Sequence, residues 1–258
     1  MHESSPVAAF INQLLFDPIA RALGLHPAPG QHAVPDHIVM ILLIALALII
    51  FSWWLRGKLS VDNPGGIQHL VEVSFQAIRN LMREVIGKES ERFVPIIGTL
   101  AIYILVGNLL GMIPGFLSPT SNFNITAGCA LCVFIYYNYQ GFRKQGFLGY
   151  LKHFAGPVLW MAPLLFVIEL ISHMARPMSL SIRLFGNIFA EELIIKSLND
   201  IVPFLVSIPV MFLALFASTI QAFIFILLTM VYISGAVEEA HGEHHSAEHK
   251  SEVPTPAV

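Results

Sequence analysis

Charge is what this sequence has least of. Only 12% of its 258 residues are charged, about half the share of a soluble domain. That shortage excludes an ordinary water-soluble globule. With 55% hydrophobic residues and a mean hydropathy of +0.70, the composition is that of an integral membrane protein with little mass outside the bilayer. A net charge of −3 leaves no basic excess for nucleic acid. Cysteine is nearly absent. Cys129 and Cys132 sit in an apolar segment; one such pair is not a full metal-ligand set, and thiols in that setting pack as small hydrophobes. There is no GxxxxGK[ST] loop, so ATP chemistry through such a loop is excluded from this chain. No internal repeat occurs, which weighs against transporters built from inverted halves. The start, "MHESSPVAAFINQLLFDPIARALGLHPAPG", lacks a basic stretch ahead of an apolar core and is not read as a signal peptide. It is expected as a short amphipathic segment.

What the chain has is long apolar reaches. Ile38 to Leu55 is broken only by Ser52, and Trp53 and Trp54 close it where aromatic rings favour the interface. Between Gly66 and Arg92 the pattern becomes amphipathic and predicts a helix lying on the membrane surface. Phe93 to Phe116 forms a second span, with Asn108 inside it, and "SPTSNFN" is a turn-rich link. Ile125 to Tyr139 begins a third span. Two longer reaches follow, Pro157 to Leu198 and Val202 to Val237. A continuous helix of such length would be about 55 Å long, against a hydrocarbon core of about 30 Å. The pair is therefore expected as a hairpin of steeply tilted or broken helices, with bends permitted at Pro177, Gly186, Pro203 and Pro209. The organisation predicted is an external segment at 1–37, a polytopic all-α membrane domain at 38–237 and a polar, unfolded tail at 238–258. The tail carries His241, His244, His245 and His249, read as solvated rather than metal-binding.

Basic residues orient the spans. The first link holds Arg56, Lys58, Arg79, Arg83, Lys88 and Arg92, the second none, and the third Arg143, Lys144 and Lys152. Five passes result, with the N-terminus outside and the C-terminus in the cytoplasm.

The fourth reach carries a polar stripe. On a helix, Glu169, His173, Arg176, Arg183, Asn187 and Glu191 share one face, and Glu192 points elsewhere. The last helix adds Gln221, Thr229 and Tyr232. Ionisable groups in a bilayer cost roughly 2.5–3.5 kcal/mol each even on a lenient scale, and they mark ion pathways. With the fourth helix running outward, Glu169 and His173 lie toward the cytoplasm. Arg183 lies near the middle, and Asn187, Glu191 and Glu192 lie toward the outside. Arginine does not give up its proton. Arg183 would therefore block a continuous proton path while keeping two half-paths apart. A stand-alone channel or antiporter, or a mere scaffold, could also hold such charges. The missing repeat and the long helices weigh against the first, and the whole stripe weighs against the second.

The segments "SLSIRLFGNIFAEELI" and "IQAFIFILLTMVYISGAVEEAH" resemble subunit a of the F-type ATP synthase family. The likeness runs on through "FVPIIGTLAIYILVGNLLGMIPGF" and "PTSNFN", from about residue 35 to 241. The resemblance implies a non-catalytic stator subunit of a bacterial inner-membrane complex. It also implies a rotor ring of c subunits, a b-subunit peripheral stalk and further Fo and F1 subunits as partners, and no cofactor. By matching positions it implies that Arg183 faces the rotor and that Asn187 and Glu192 belong to an outer half-channel. Gln221 then lies close to the arginine, and Glu169 belongs to an inner half-channel. Some members of the family have a small residue in place of Glu191, a histidine in place of Ala214 and an aspartate in place of Gly111.

Overall fold

A computed structural model describes residues 5–22, 32, 34–60, 64–87, 89–113, 115–155, 162–201 and 207–251. Regular structure among these is entirely helical. Helix α1 (Pro6–Ile11) opens on Ser5, whose hydroxyl accepts from the Ala8 amide, and has proline where no amide partner is needed. It passes through a π turn, Asn12–Phe16, into α2 (Asp17–Ala22). Helix α3 (Asp36–Arg56) is followed by α4 (Gly66–Val85), a 3-10 turn at Ser90–Arg92 and α5 (Val94–Leu110). The longer helices are α6 (Phe123–Ala155), α7 (Ala162–Ile201) and α8 (Ser207–Ser251).

Among the described residues, three helices are long and apolar enough to cross a membrane: α3, α7 from Pro163 and α8 up to Ala236. Helix α5 is apolar but has only 17 residues, about 25 Å at 1.5 Å each. The second apolar run reaches Phe116, but the helix stops at Leu110 because the chain turns at Gly111. Helix α6 outruns its apolar stretch, continuing past Tyr139 to Ala155 with one break at Gly146, where φ is +73°. Glycine tolerates that left-handed φ at no steric cost. Helix α7 is a single helix of 40 residues across Pro177 and Gly186, and Pro209 falls in the first turn of α8. Pro203 and the start of the fourth apolar run at Pro157 lie outside the described residues. The last helix is continuous from Ser207 to Ser251. The glutamates, alanines and lysine there are good helix formers, and no proline occurs before Pro254.

The core lies where α5, α6, α7 and α8 meet, around Ile97, Ile104, Tyr137, Leu184, Phe225 and Met230. Met82 joins it from α4, and the Ser234 hydroxyl donates to the Val85 carbonyl at 2.7 Å, tying α4 to α8. Helix α4 is amphipathic, as its periodicity predicts. Its C-terminal half packs on the core, whereas Ile67, Leu70 and Val73 stay exposed. A second cluster seats α1 on α3 through Ala8, Val39 and Met40. Asp36 at the start of α3 accepts from the Ser5 amide and the Asn12 side chain, so the N-terminal segment closes over that end. Cys129 is half-buried and Cys132 exposed, both as free thiols.

Candidate functional site

The polar stripe does not face one neighbour. Toward the N-terminal end of α7, His173 is 6% exposed and points into α6, with its Nε2 2.8 Å from Asn138 Oδ1. Arg176 sits 3.6 Å from Glu169 and lies over the Tyr232 ring of α8 at 5.8 Å. Farther along, Asn187 Nδ2 donates to Gln221 Oε1 of α8 at 2.6 Å. Glu191 Oε2 accepts from the Ser218 hydroxyl of α8 at 2.6 Å. Glu192 turns to the other side and accepts from the Ser118 amide at 3.3 Å. Arg183 is exposed on the flank of α7 and, unlike the other residues of the stripe, has no ion pair or hydrogen bond to any described residue.

The two glutamates are connected through the molecule. Ser218, whose hydroxyl binds Glu191, offers its carbonyl to Asn108 Nδ2 at 3.2 Å. Asn108 Oδ1 accepts from the Thr120 hydroxyl at 2.7 Å, Thr120 meets the Ser118 hydroxyl at 2.7 Å, and the Ser118 amide reaches Glu192. This chain of partners is buried, with Asn108 only 1% exposed, and it is the cheapest way to carry polar atoms through an apolar core. Two atoms beside it have no hydrogen-bond partner among the described residues, Glu191 Oε1 and Gln221 Nε2. Glu192 opens onto a cavity of about 300 Å³ that Asp36, His37, Ser121 and Asn122 also line.

One glycine makes this geometry possible. A Cβ on Gly111 would lie 2.5 Å from Ser118 Cβ and 3.2 Å from its Cα. The segment carrying Ser118 and Thr120 reaches Asn108 because nothing projects from position 111. Ala214 is buried one turn before Ser218 on the same face of α8.

The stripe and the outlying position of Glu192 were legible from spacing, and the place of Gln221 only through the family resemblance. Asn138, Ser118, Thr120, Ser218, Asp36 and His37 were not. Single polar residues in apolar or turn segments carry no periodic signal, and only inter-helix contact brings them together. No group of three or more His, Cys, Asp or Glu is placed to hold a metal among the described residues. The side chains of His241, His244, His245 and His249 lie outside the described residues.

Apolar helices of membrane-crossing length that enclose buried ionisable and amide groups define an integral membrane protein of the ion-translocating class. The family described as ATP synthase A chain matches residues 38–234. A Geobacter sulfurreducens relative named ATP synthase subunit a is 44% identical over 90% of this chain and 100% of its own length. ATP synthase subunit a 1 of Pelobacter propionicus is 42% identical over 90% of this chain and 100% of its own. ATP synthase subunit a of Trichlorobacter lovleyi is 44% identical over 89% of this chain and 96% of its own. The chain belongs to the ATP synthase A chain family, the non-catalytic membrane subunit of the synthase's proton-transporting sector.

Proposed function

We propose that this chain is the stator face of a rotary proton path, in which two half-paths end on either side of Arg183. One observation carries the reading. Every other polar group of the stripe has a partner inside the chain, and Arg183, exposed on the α7 flank, has none among the described residues. A guanidinium left open next to the exposed Ile182 suits a partner that brings its own carboxylate. That partner is a ring of c subunits. A b-subunit stalk and the remaining Fo and F1 subunits complete the assembly.

The reading sets α3, α5, α6, α7 and α8 across a bacterial inner membrane, with the N-terminus outside and the C-terminus in the cytoplasm. Helix α7, with its 40 residues, measures about 60 Å at 1.5 Å each. It then lies steeply tilted with α8 as a hairpin along the rotor. The exposed apolar row of α4 rests on the cytoplasmic membrane surface.

A proton enters at the cavity beside Asp36 and His37 and reaches Glu192. The buried hydroxyls and Asn108 lead on toward Glu191, Asn187 and Gln221. It neutralises a rotor carboxylate, which then turns into lipid. Near the end of a turn that carboxylate meets the inner half-path at Glu169 and His173 and releases its proton. At about 5 Å and an effective dielectric of about 20, Arg183 attracts the ionised carboxylate by about 3 kcal/mol, enough to favour release without a fixed dehydrated pair. Each proton supplies about 2.3 kcal/mol per 100 mV of membrane potential.

ATP-driven acidification of inverted vesicles tests this. Arg183→Ala is expected to abolish pumping while the complex still assembles. Arg183→Lys should fail as well, since a desolvated lysine can lose its proton and lacks the planar fork. Full pumping by an assembled Arg183→Ala complex would sink the mechanism.

A further inference from the structure

The cavity beside Glu192 is held by a part of the chain that stripe and rotor do not explain. It lies between two walls. One is the start of α3, with Asp36 and His37; the other is the segment after α5, with Leu117, Ser121 and Asn122. The N-terminal segment is tied to both. On the α3 side the Ser5 amide donates to Asp36 Oδ2 at 3.2 Å. Asn12 Nδ2 donates to Asp36 Oδ1 at 3.4 Å and to the Val34 carbonyl at 3.0 Å. On the other side the Ser5 hydroxyl donates to the Gly115 carbonyl at 2.6 Å. Phe116 and Leu117 pack on the cluster of Ala8, Val39 and Met40. Ser5 is 4% exposed and Asn12 is 0% exposed. The Asn12 amide has one orientation: a carbonyl and a carboxylate only accept, so its nitrogen must face them. Its Oδ1 is buried without a hydrogen bond to any described residue. An unpaired buried acceptor is costly, so packing alone would be better served by an apolar side chain of that size. What the amide supplies here is the two bonds its nitrogen donates.

We infer that residues 5–16 form a clasp over the outer mouth, with Asn12 as its positioning residue, and that by tying Asp36 and the turn at 115–117 to one element the clasp sets the width of the opening through which protons reach Glu192. The inference rests on the rotary reading above, which makes this end the point of entry. Both oxygens of Asp36 accept from the clasp, so this carboxylate anchors its wall. Asn12 is sealed from solvent and moves no proton itself. Without the Asn12 amide, the carboxylate of the α3 wall is tied only through the Ser5 amide. Without the Ser5 hydroxyl, the other wall is held by packing alone. The two changes loosen opposite walls of the same mouth, and for that reason they should act alike. The titratable groups around the clasp are Asp17 of α2, with His32 at 3.4 Å, Asp36 and His37 of α3, and Glu192 of α7 across the cavity. The variants below alter none of them.

Two measurements on the intact complex test this. In right-side-out vesicles, with Cys129 and Cys132 replaced, Val39→Cys puts a thiol beneath the clasp, where Val39 is 1% exposed. Asn12→Leu keeps the volume and removes both donated bonds. It should speed reaction of that thiol with a small impermeant reagent by about tenfold, the weight of one hydrogen bond to a charged group. In proteoliposomes with the catalytic head outward, the lumen faces the outer mouth. ATP synthesis is driven there by a fixed imposed potential, with external pH constant and lumenal pH varied. Asn12→Leu should match wild type at acid lumenal pH and fall behind as lumenal protons grow scarce. Its half-maximal rate should lie about one unit to the acid side, the same tenfold expressed as proton supply. A merely structural Asn12 would lower the rate by one factor at every lumenal pH. Ser5→Ala should give the same two changes, and it carries the test if the Asn12→Leu complex does not assemble. Unchanged labelling overturns the inference, as does a ratio of variant to wild-type rate that is independent of lumenal pH. Arg183→Ala is run in parallel. If it synthesises ATP normally, the rotary reading itself has failed; if it is inactive while the clasp variants show neither change, only the present inference has.

Discussion

Asn108 carries more of the buried polar chain between Glu191 and Glu192 than any acid does. Its amide satisfies the Ser218 carbonyl with one end and the Thr120 hydroxyl with the other, at 1% exposure. Asn108→Ala would leave buried groups unpaired, at about 1–3 kcal/mol. The expected outcome is a purified complex that dissociates at lower temperature and pumps more slowly, seen in a melting curve and a vesicle assay on one preparation. Glu91 makes a different kind of prediction. Arg83 and Arg79 donate to its carboxylate at 2.8 and 2.7 Å and hold its pKa below the usual carboxylate range. A depressed value in the folded state means that the pairing helps at neutral pH. Its contribution is lost only as pH falls below the ordinary glutamate range of about 4.3 and through the lower folded value. Protection at the end of α4, taken relative to the intrinsic exchange rate at each pH, should therefore be flat from pH 8 to 5 and fall in acid. Glu91→Gln should show the lower protection across pH 8 to 5.

At the scale of elements, Gly111 is where a single atom decides the shape of a loop. Gly111→Ala puts a Cβ 2.5 Å from that of Ser118. Overpacking of this kind costs about 1–3 kcal/mol. The turn must move away from Asn108, and the Glu192 amide contact should go with it. Thermal stability of the complex should fall, and pumping should fall more than stability accounts for. The helices themselves were plain in the apolar runs, because a long run without charge has few other ways to bury its backbone. Their ends were not. Helix α6 outlasts its apolar stretch and α8 outlasts its own, because helix propagation needs good formers rather than apolar ones. The stripe was legible because Arg183, Asn187 and Glu191 repeat at helical spacing. Asn138 was invisible for the opposite reason. Its significance comes from the register of α6 against α7, and nothing local encodes that.

For the whole molecule, orientation is open to direct measurement. In a background without Cys129 and Cys132, a cysteine at Ser60 should react with an impermeant thiol reagent only from the cytoplasmic side. One at Asn124 should react only from outside. Reaction of both from one face would remove the five-pass arrangement and the assignment of inner and outer half-paths with it. The bundle also divides unevenly. Its firmest packing joins α5, α6, α7 and α8 around Leu184 and Phe225, while the flank that bears Arg183 is left bare.

That bareness has a consequence for the life of the subunit in the cell. On the proposed rotary reading, the chain inserted before any rotor would present a permanent cation to hydrocarbon, at roughly 2.5–3.5 kcal/mol. Under that reading it would then be marked as an orphan by the same side chain that the rotor later meets. A cell that made this subunit in excess would be expected to clear the surplus quickly. Pulse-chase labelling should show a short half-life without rotor genes and a longer one when they are restored. Arg183→Ala should survive alone better than the native chain, so that the variant least fit to work would be the one most tolerated unassembled.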